Sequence, residues 1–157
     1  MKRILFFTLA TLFVFTGLLG CAPKQVPHPD NPVTLNIWHV YGAQTESPFN
    51  DSIDEFNKTV GRENGVIVNV VSVSSSSAID EALAASAKNT PGVPALPDLF
   101  TAYPRVAQSV GYDRLLDWGD YFTDEELDMF IDEFVAEGYF GEELLMLPIA
   151  NPPSSCL

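Results

Sequence analysis

The sequence predicts an α/β domain in which a parallel sheet carries helices on both faces. Two observations lead there. From residue 33 to residue 101, β-rich segments alternate with helix-periodic ones. The second β-rich run, Val66 to Val73 (VIVNVVSV), is almost continuously aliphatic, as expected of a strand covered on both sides. Strand, helix, strand, helix, strand implies right-handed crossovers and strands that all run the same way. A length of 157 residues fits a single domain.

Two segments precede that domain. Met1-Lys2-Arg3 is basic, Ile4 to Leu19 is almost wholly apolar, and the run ends in Leu18-Leu19-Gly20-Cys21. The apolar part falls short of the roughly 20 residues of a spanning helix and reads instead as an export signal. Its ending resembles the lipobox of bacterial lipoproteins. That resemblance implies cleavage after Gly20 and a diacylglyceryl group on the Cys21 thiol, so residues 1–20 are a signal peptide. The other reading is a plain signal peptide with an incidental cysteine. Residues 21–32 then form the lipidated end and a flexible tether, since 22–32 (APKQVPHPDNP) is proline-rich and aperiodic. His28 within it reads as a solvated linker residue rather than a ligand.

Charge narrows the partners. The chain has 8 basic and 21 acidic side chains. Removing residues 1–20 leaves 137 residues and takes Lys2 and Arg3 away, so 6 basic and 21 acidic groups remain, a formal charge of −15. Such a surface repels phosphate backbones, which argues against nucleic acid as a partner. It also disfavours a second, polybasic membrane contact, leaving the acyl chains as the anchor. Two cysteines, Cys21 and Cys156, do not signal a disulfide framework when the first is lipidated.

Within the domain, Val33 to His39 (VTLNIWH) alternates and is expected to be the first strand. Tyr41 to Gln44 form a loop, and Ser47-Pro48 is an N-cap with proline at the first helical position. Phe49, Ile53, Phe56 and Val60 share one helical face, with Gly61 as the expected stop. After the second strand come the polar loop Ser74 to Ser77 and a helix marked by Ile79, Ala82, Leu83 and Ala87. A proline-broken connection, Thr90 to Pro97, leads to a short third strand, Asp98 to Thr101. Thr123-Asp124-Glu125-Glu126 has the form of a capping box. Leu127, Phe130, Ile131, Phe134 and Val135 repeat at helical intervals behind it, up to Gly138. The acidic residues of that stretch read as a solvated face rather than a metal site, several of them favoured by the helix start. Gly141 to Ile149 is a candidate further strand.

No catalytic or cofactor signature stands out. There is no Gly-x-Ser-x-Gly elbow, His-Glu-x-x-His, phosphate-binding glycine loop or paired-cysteine metal site. His39 ends a strand and reads more readily as a structural residue than as a base. No cofactor is expected, and the chain is not expected to be an enzyme.

Several segments taken together are more telling. VTLNIWH, DEFNKTV, GVIVNVV, PDLFTAYP, LLDWGDYFTDEELDMF and EGYF followed by LMLPIA occur in this order over residues 33–150. The series resembles the amino-terminal part of the extracellular solute-binding proteins of ABC importers. The nearest group is family 1, which includes the maltose- and glycerol-3-phosphate-binding proteins. The resemblance implies a first lobe of the type II periplasmic-binding-protein fold, incomplete here, in a monomeric receptor that delivers a sugar or polyol to ABC permease subunits. It places the protein on the extracytoplasmic side of a membrane. Ala22 carries no aspartate retention signal, which bears on the choice of membrane only in a double-membrane cell.

Ligands of open parallel sheets bind beyond the carboxyl ends of the strands, where the topology reverses. Tyr41 and Gln44 after the first strand, Ser75, Ser76 and Ser77 after the second, and Tyr103 after the third are therefore the candidate solute contacts. Tyrosines offer stacking faces, and Gln and Ser match hydroxyls. The serines are equally well an ordinary loop and helix cap. Relatives that bind glycerol-3-phosphate tend to carry Gly-x-Tyr just after the second strand, whereas this chain has Ser74 to Ser77. Arg105 is the one cation of these loops. A neutral sugar is the expected ligand.

Residues 151–157 break the pattern. Relatives commonly continue Lys-Ser-Ser/Thr-Glu after Leu-Pro-Ile-Ala, where this chain reads Asn151-Pro152-Pro153-Ser154-Ser155. Codons such as GCA AAA TCC TCC GAG C lose one A to become GCA AAT CCT CCG AGC, which translates as Ala-Asn-Pro-Pro-Ser. The expectation is an out-of-frame tail, in which Cys156 has no evolved role, on a fragment of a longer receptor. A single wall excludes little water, so solute binding by such a fragment is expected to be weak or undetectable. Two other readings stand beside the receptor: a lipid-anchored extracytoplasmic enzyme such as a hydrolase, and a nonfunctional remnant.

Overall fold

The computed structural model describes residues 26–41 and 47–149. Its centre is a three-stranded sheet of order β2-β1-β3, with β1 (Val33–His39), β2 (Val66–Ser72) and β3 (Leu99–Phe100) all parallel. β1 and β2 pair in register from Val33↔Val66 to His39↔Ser72. β3 has two residues, but its ends prolong the ladder. The Asp98 carboxylate accepts from the Asn36 N–H at 2.8 Å, and the Thr101 N–H donates to the Trp38 carbonyl at 2.9 Å.

Helices cover both faces. Helix α1 (Pro48–Lys58) starts at Ser47, whose hydroxyl accepts from the Asn50 N–H, and it buries Ile53. Its Phe49 ring meets His39 on one face of β1. The chain does not stop at Gly61, as the sequence suggests. It re-forms as α2 (Val60–Asn64) and ends at Gly65, whose φ of +70° is the left-handed conformation of a helix stop. Gly61 has another role. A Cβ there would sit 2.6 Å from the Val66 carbonyl oxygen and 2.8 Å from the Phe56 ring, so its absence lets α2 pack closely on the start of β2.

The opposite face carries the main core. Helix α3 (Ser76–Ala87) presents Ile79, Leu83 and Ala87, one turn apart, and all are buried. Ile79 and Leu83 pack with Trp38 of β1 and with Val106 and Val110 of α4 (Val106–Val110); Val73, Phe100 and Leu115 close around them.

The aliphatic run of β2 misleads about its surroundings. β2 is an edge strand, with Ile67 42% and Val71 40% exposed on the face where Asn36 and Asn69 hydrogen-bond to each other at 2.9 Å. α3 and α4 pack around Trp38 of the central strand, and neither Ile67 nor Val71 of the edge strand belongs to that cluster. The free edge is capped by a side chain. Asn57 Oδ1 accepts from the Val68 N–H and Asn57 Nδ2 donates to the Val68 carbonyl, each at 2.8 Å, as a neighbouring strand would.

The single long helix expected after the capping box is broken in two. The box is present, with Thr123 and Glu126 bonded reciprocally. Yet α5 (Asp124–Leu127) ends in tightening i→i−3 bonds, and α6 (Asp132–Ala136) starts afresh. Residues 124–137 hold seven acidic side chains and no basic one. Asp124/Asp128 and Asp128/Asp132 would repel at i, i+4, and Met129 and Ile131 find no packing partner and stay exposed. Beyond Gly138 there is no long strand but a hairpin, β4 (Tyr139–Phe140) with β5 (Glu143–Leu144), turning through Gly141 at φ +75°. It buries Leu144 and Leu145, and the Asp117 carboxylate accepts from the Leu144 N–H at 3.0 Å.

The proline-rich segment is not free throughout its described part. His28 and Asn31 pair across a turn, and the His28 backbone lies directly over Gly65, where no side chain would fit. His28 itself is exposed, 3.6 Å from Asp30. Cys21 and residues 151–157 lie outside the described residues. Among the described residues no helix is long and apolar enough to cross a membrane.

Candidate functional site

The order β2-β1-β3 fixes where the site lies. From β1 the chain moves to one neighbour, β2, and then crosses to the other side, β3. The topology therefore reverses between β1 and β3, and the crevice of an open parallel sheet opens beyond the C-terminal ends of those two strands. Tyr41 follows β1 and Tyr103 follows β3. Burial first, then the electrostatic influence of Tyr103, holds the Tyr41 hydroxyl above its ordinary pKa of 10.0.

Behind Tyr41 lies an aromatic corner. The His39 and Tyr41 rings stack at 6.1 Å, Phe49 of α1 meets His39 edge-on at 5.1 Å, and Phe49 meets Tyr41 at 5.8 Å. His39 is fully buried. Its Nδ1 accepts from the Tyr41 N–H at 3.0 Å, so the ring proton sits on Nε2. Burial pushes the His39 pKa below 6.5, and the Asn50 side chain opposes that to a lesser degree by favouring the charged ring. The ladder carried one residue past β3 sets Thr101 beside His39 on the same face. His39 Nε2, Asn50 Oδ1 and Thr101 Oγ1 are all buried without a protein hydrogen-bond partner.

On the other flank, one face of Tyr103 is covered by Arg105, whose guanidinium carbon lies 4.8 Å from the ring centre. Arg105 also donates to the Asp80 carboxylate of α3 at 2.6 Å. The ring remains 40% exposed.

The candidates of the sequence thus separate. Tyr41 and Tyr103 lie at the same end of the sheet, after the neighbouring strands β1 and β3. Ser75 is the N-cap of α3, its hydroxyl accepting from the Ala78 N–H at 3.2 Å. Ser76 and Ser77 form the first turn of that helix. Ser76 lies four residues, about one turn, before the Asp80 that holds Arg105. Gln44 lies outside the described residues. Asn50 and Thr101 belong to this corner as well; Thr101 is legible in the sequence only through strand register, and Asn50 only as a polar residue in the first turn of a helix that faces the sheet.

Two hollows lie away from these strand ends. One of about 290 Å³ is lined by Asp124, Leu127, Asp128, Asp132, Val135, Ala136 and Tyr139. The other, about 160 Å³, lies between the proline-rich segment and α2. Among the described residues no group of acidic, His or Cys side chains is arranged to hold a metal ion. Compared with protein-family models, with curated proteins and with solved structures, the chain shows no significant match.

Proposed function

We propose that this chain is the receptor part of an ABC importer. In this reading residues 33–150 form a wall of the solute cleft in a type II periplasmic-binding-protein fold, and lipidated Cys21 holds it, as a monomer, beside its permease on the extracytoplasmic side. No catalytic step belongs to this function. The observation that supports it is the placement of Tyr41 and Tyr103 at the switch point, each just beyond the C-terminal end of one of two neighbouring parallel strands. With Arg105 over one face of Tyr103, the opposite face is the one left to stack on a sugar ring. The Arg105 charge is already engaged by Asp80, which favours a neutral sugar over a phosphorylated one.

The test is ligand-observed saturation-transfer NMR on residues 22–157 with neutral mono- and disaccharides and with glycerol-3-phosphate. This measurement reads affinities down to the millimolar range. Neutral sugars are expected to give a saturable signal that falls about tenfold in affinity in Tyr103→Ala, the loss of one good stacking contact. Silence from every sugar overturns the receptor reading. A stronger signal from glycerol-3-phosphate overturns the neutral choice.

A further inference from the structure

We infer that His39 is a positioning residue: its neutral ring, held by α1 and the sheet, fixes the backbone at Tyr41 and so sets the aromatic wall of the cleft. The geometry is one-directional. The Tyr41 N–H can only donate, so the 3.0 Å contact exists only while His39 Nδ1 carries no proton. A second proton on the ring would set N–H against N–H and release Tyr41. The ring cannot turn away freely, because Phe49 packs edge-on against it and Tyr41 stacks over it. It is also fully buried, so it serves Tyr41 without touching a solute.

Among the described residues, the groups facing His39 are few. Tyr41 and Phe49 lie against its ring, Asn50 adds an amide from α1, and Thr101 adds a hydroxyl from beyond β3. Ser72 is its partner on β2. None of these described groups is charged, and Tyr41, the titratable one among them, stays neutral well above physiological pH. Burial is therefore the main influence on the ring, and it keeps His39 neutral at pH 7. Mild acid would switch the contact off. The importance of Tyr41 for solute rests on the receptor proposal; the His39–Tyr41 coupling does not.

The experiment is amide hydrogen exchange of Tyr41 in the full chain, with nitrogen NMR of the His39 ring. The ring is expected in its Nε2–H form at pH 7, titrating below 6.5. The Tyr41 protection factor should fall about tenfold per pH unit below 6.5 until the folded pKa is reached, then level off. His39→Asn, whose side-chain oxygen falls near the Nδ1 position, should keep the protection and lose the pH step. His39→Phe, similar in bulk, should lose both. A Tyr41 protection factor that is flat with pH in the unmodified chain overturns the inference, as does full protection in His39→Phe. The unmodified chain decides the matter if either variant fails to fold. Failure of the sugar titration with a Tyr41 step intact would sink the receptor reading and leave this coupling standing.

Discussion

At the residue scale, two ionisable rings in contact are displaced in opposite directions. His39 is held below 6.5 and Tyr41 above 10.0, and burial is the larger cause for both. Each shift favours the uncharged form in the folded state, so this corner is neutral between the two titrations. The sign follows for both ends of the pH scale. The lowered His39 pKa contributes stability above 6.5 that is lost as pH falls through the folded value. The raised Tyr41 pKa contributes stability below 10.0 that is lost as pH rises through its folded value. Alkaline difference spectroscopy of the five tyrosines should therefore resolve one phenol that ionises late, and Tyr41→Phe should remove it. A late phenol that persists in Tyr41→Phe would place the shift elsewhere. The sequence exposed the two tyrosines of this site as aromatic residues after strands, but not the histidine beneath them. His39 looks structural because it ends a strand, and its bond to a backbone N–H two residues on depends on ring orientation, which composition does not encode.

At the scale of elements, sequence patterns were reliable where one face repeats against a neighbour, and failed where an edge or a charge intervenes. β1 and α3 follow their patterns closely because Trp38, Ile79 and Leu83 meet across a filled interface. β2 does not, since an aliphatic run looks the same on an edge strand as on a central one. What tames that edge is Asn57, eleven residues before its partner Val68. Both backbone groups of Val68 depend on it, and both are partly shielded from water. Asn57→Ala should cost about 1–3 kcal/mol, the range for orphaned buried polar groups. Asn57→Asp keeps only an acceptor and should recover part of the loss. Urea unfolding checks the pair; an unchanged midpoint in Asn57→Ala would mean that water replaces the amide at no cost. The helix break at 128–131 has a different origin. Hydrophobic spacing there is helical, but like charges at i, i+4 oppose continuity and no neighbouring surface rewards it.

At the scale of the whole molecule, charge is the dominant unbalanced force. A formal charge of −13 on 157 residues is offset by little pairing. Among the described residues the ion pairs are Arg105–Asp80 and the contact of His28 with Asp30, which counts only when His28 is protonated. The acidic groups of residues 124–137 lie on one stretch with no cation among them. Self-repulsion of this kind loosens the compact state, and screening should relieve it more than it weakens one partly exposed Arg105 pair. The Debye length falls from about 30 Å at 0.01 M salt to about 3 Å at 1 M, shorter than most separations between surface carboxylates. The thermal midpoint is therefore expected to rise with sodium chloride over that range. Substituting Asp128→Lys should reproduce part of the rise at low salt, because it replaces one carboxylate of the acidic stretch 124–137 by a cation, and should gain less at high salt. A midpoint that falls as salt is added would mean that attraction outweighs repulsion in this fold. In that case the break between α5 and α6 would owe more to the unpacked Met129 and Ile131 than to charge.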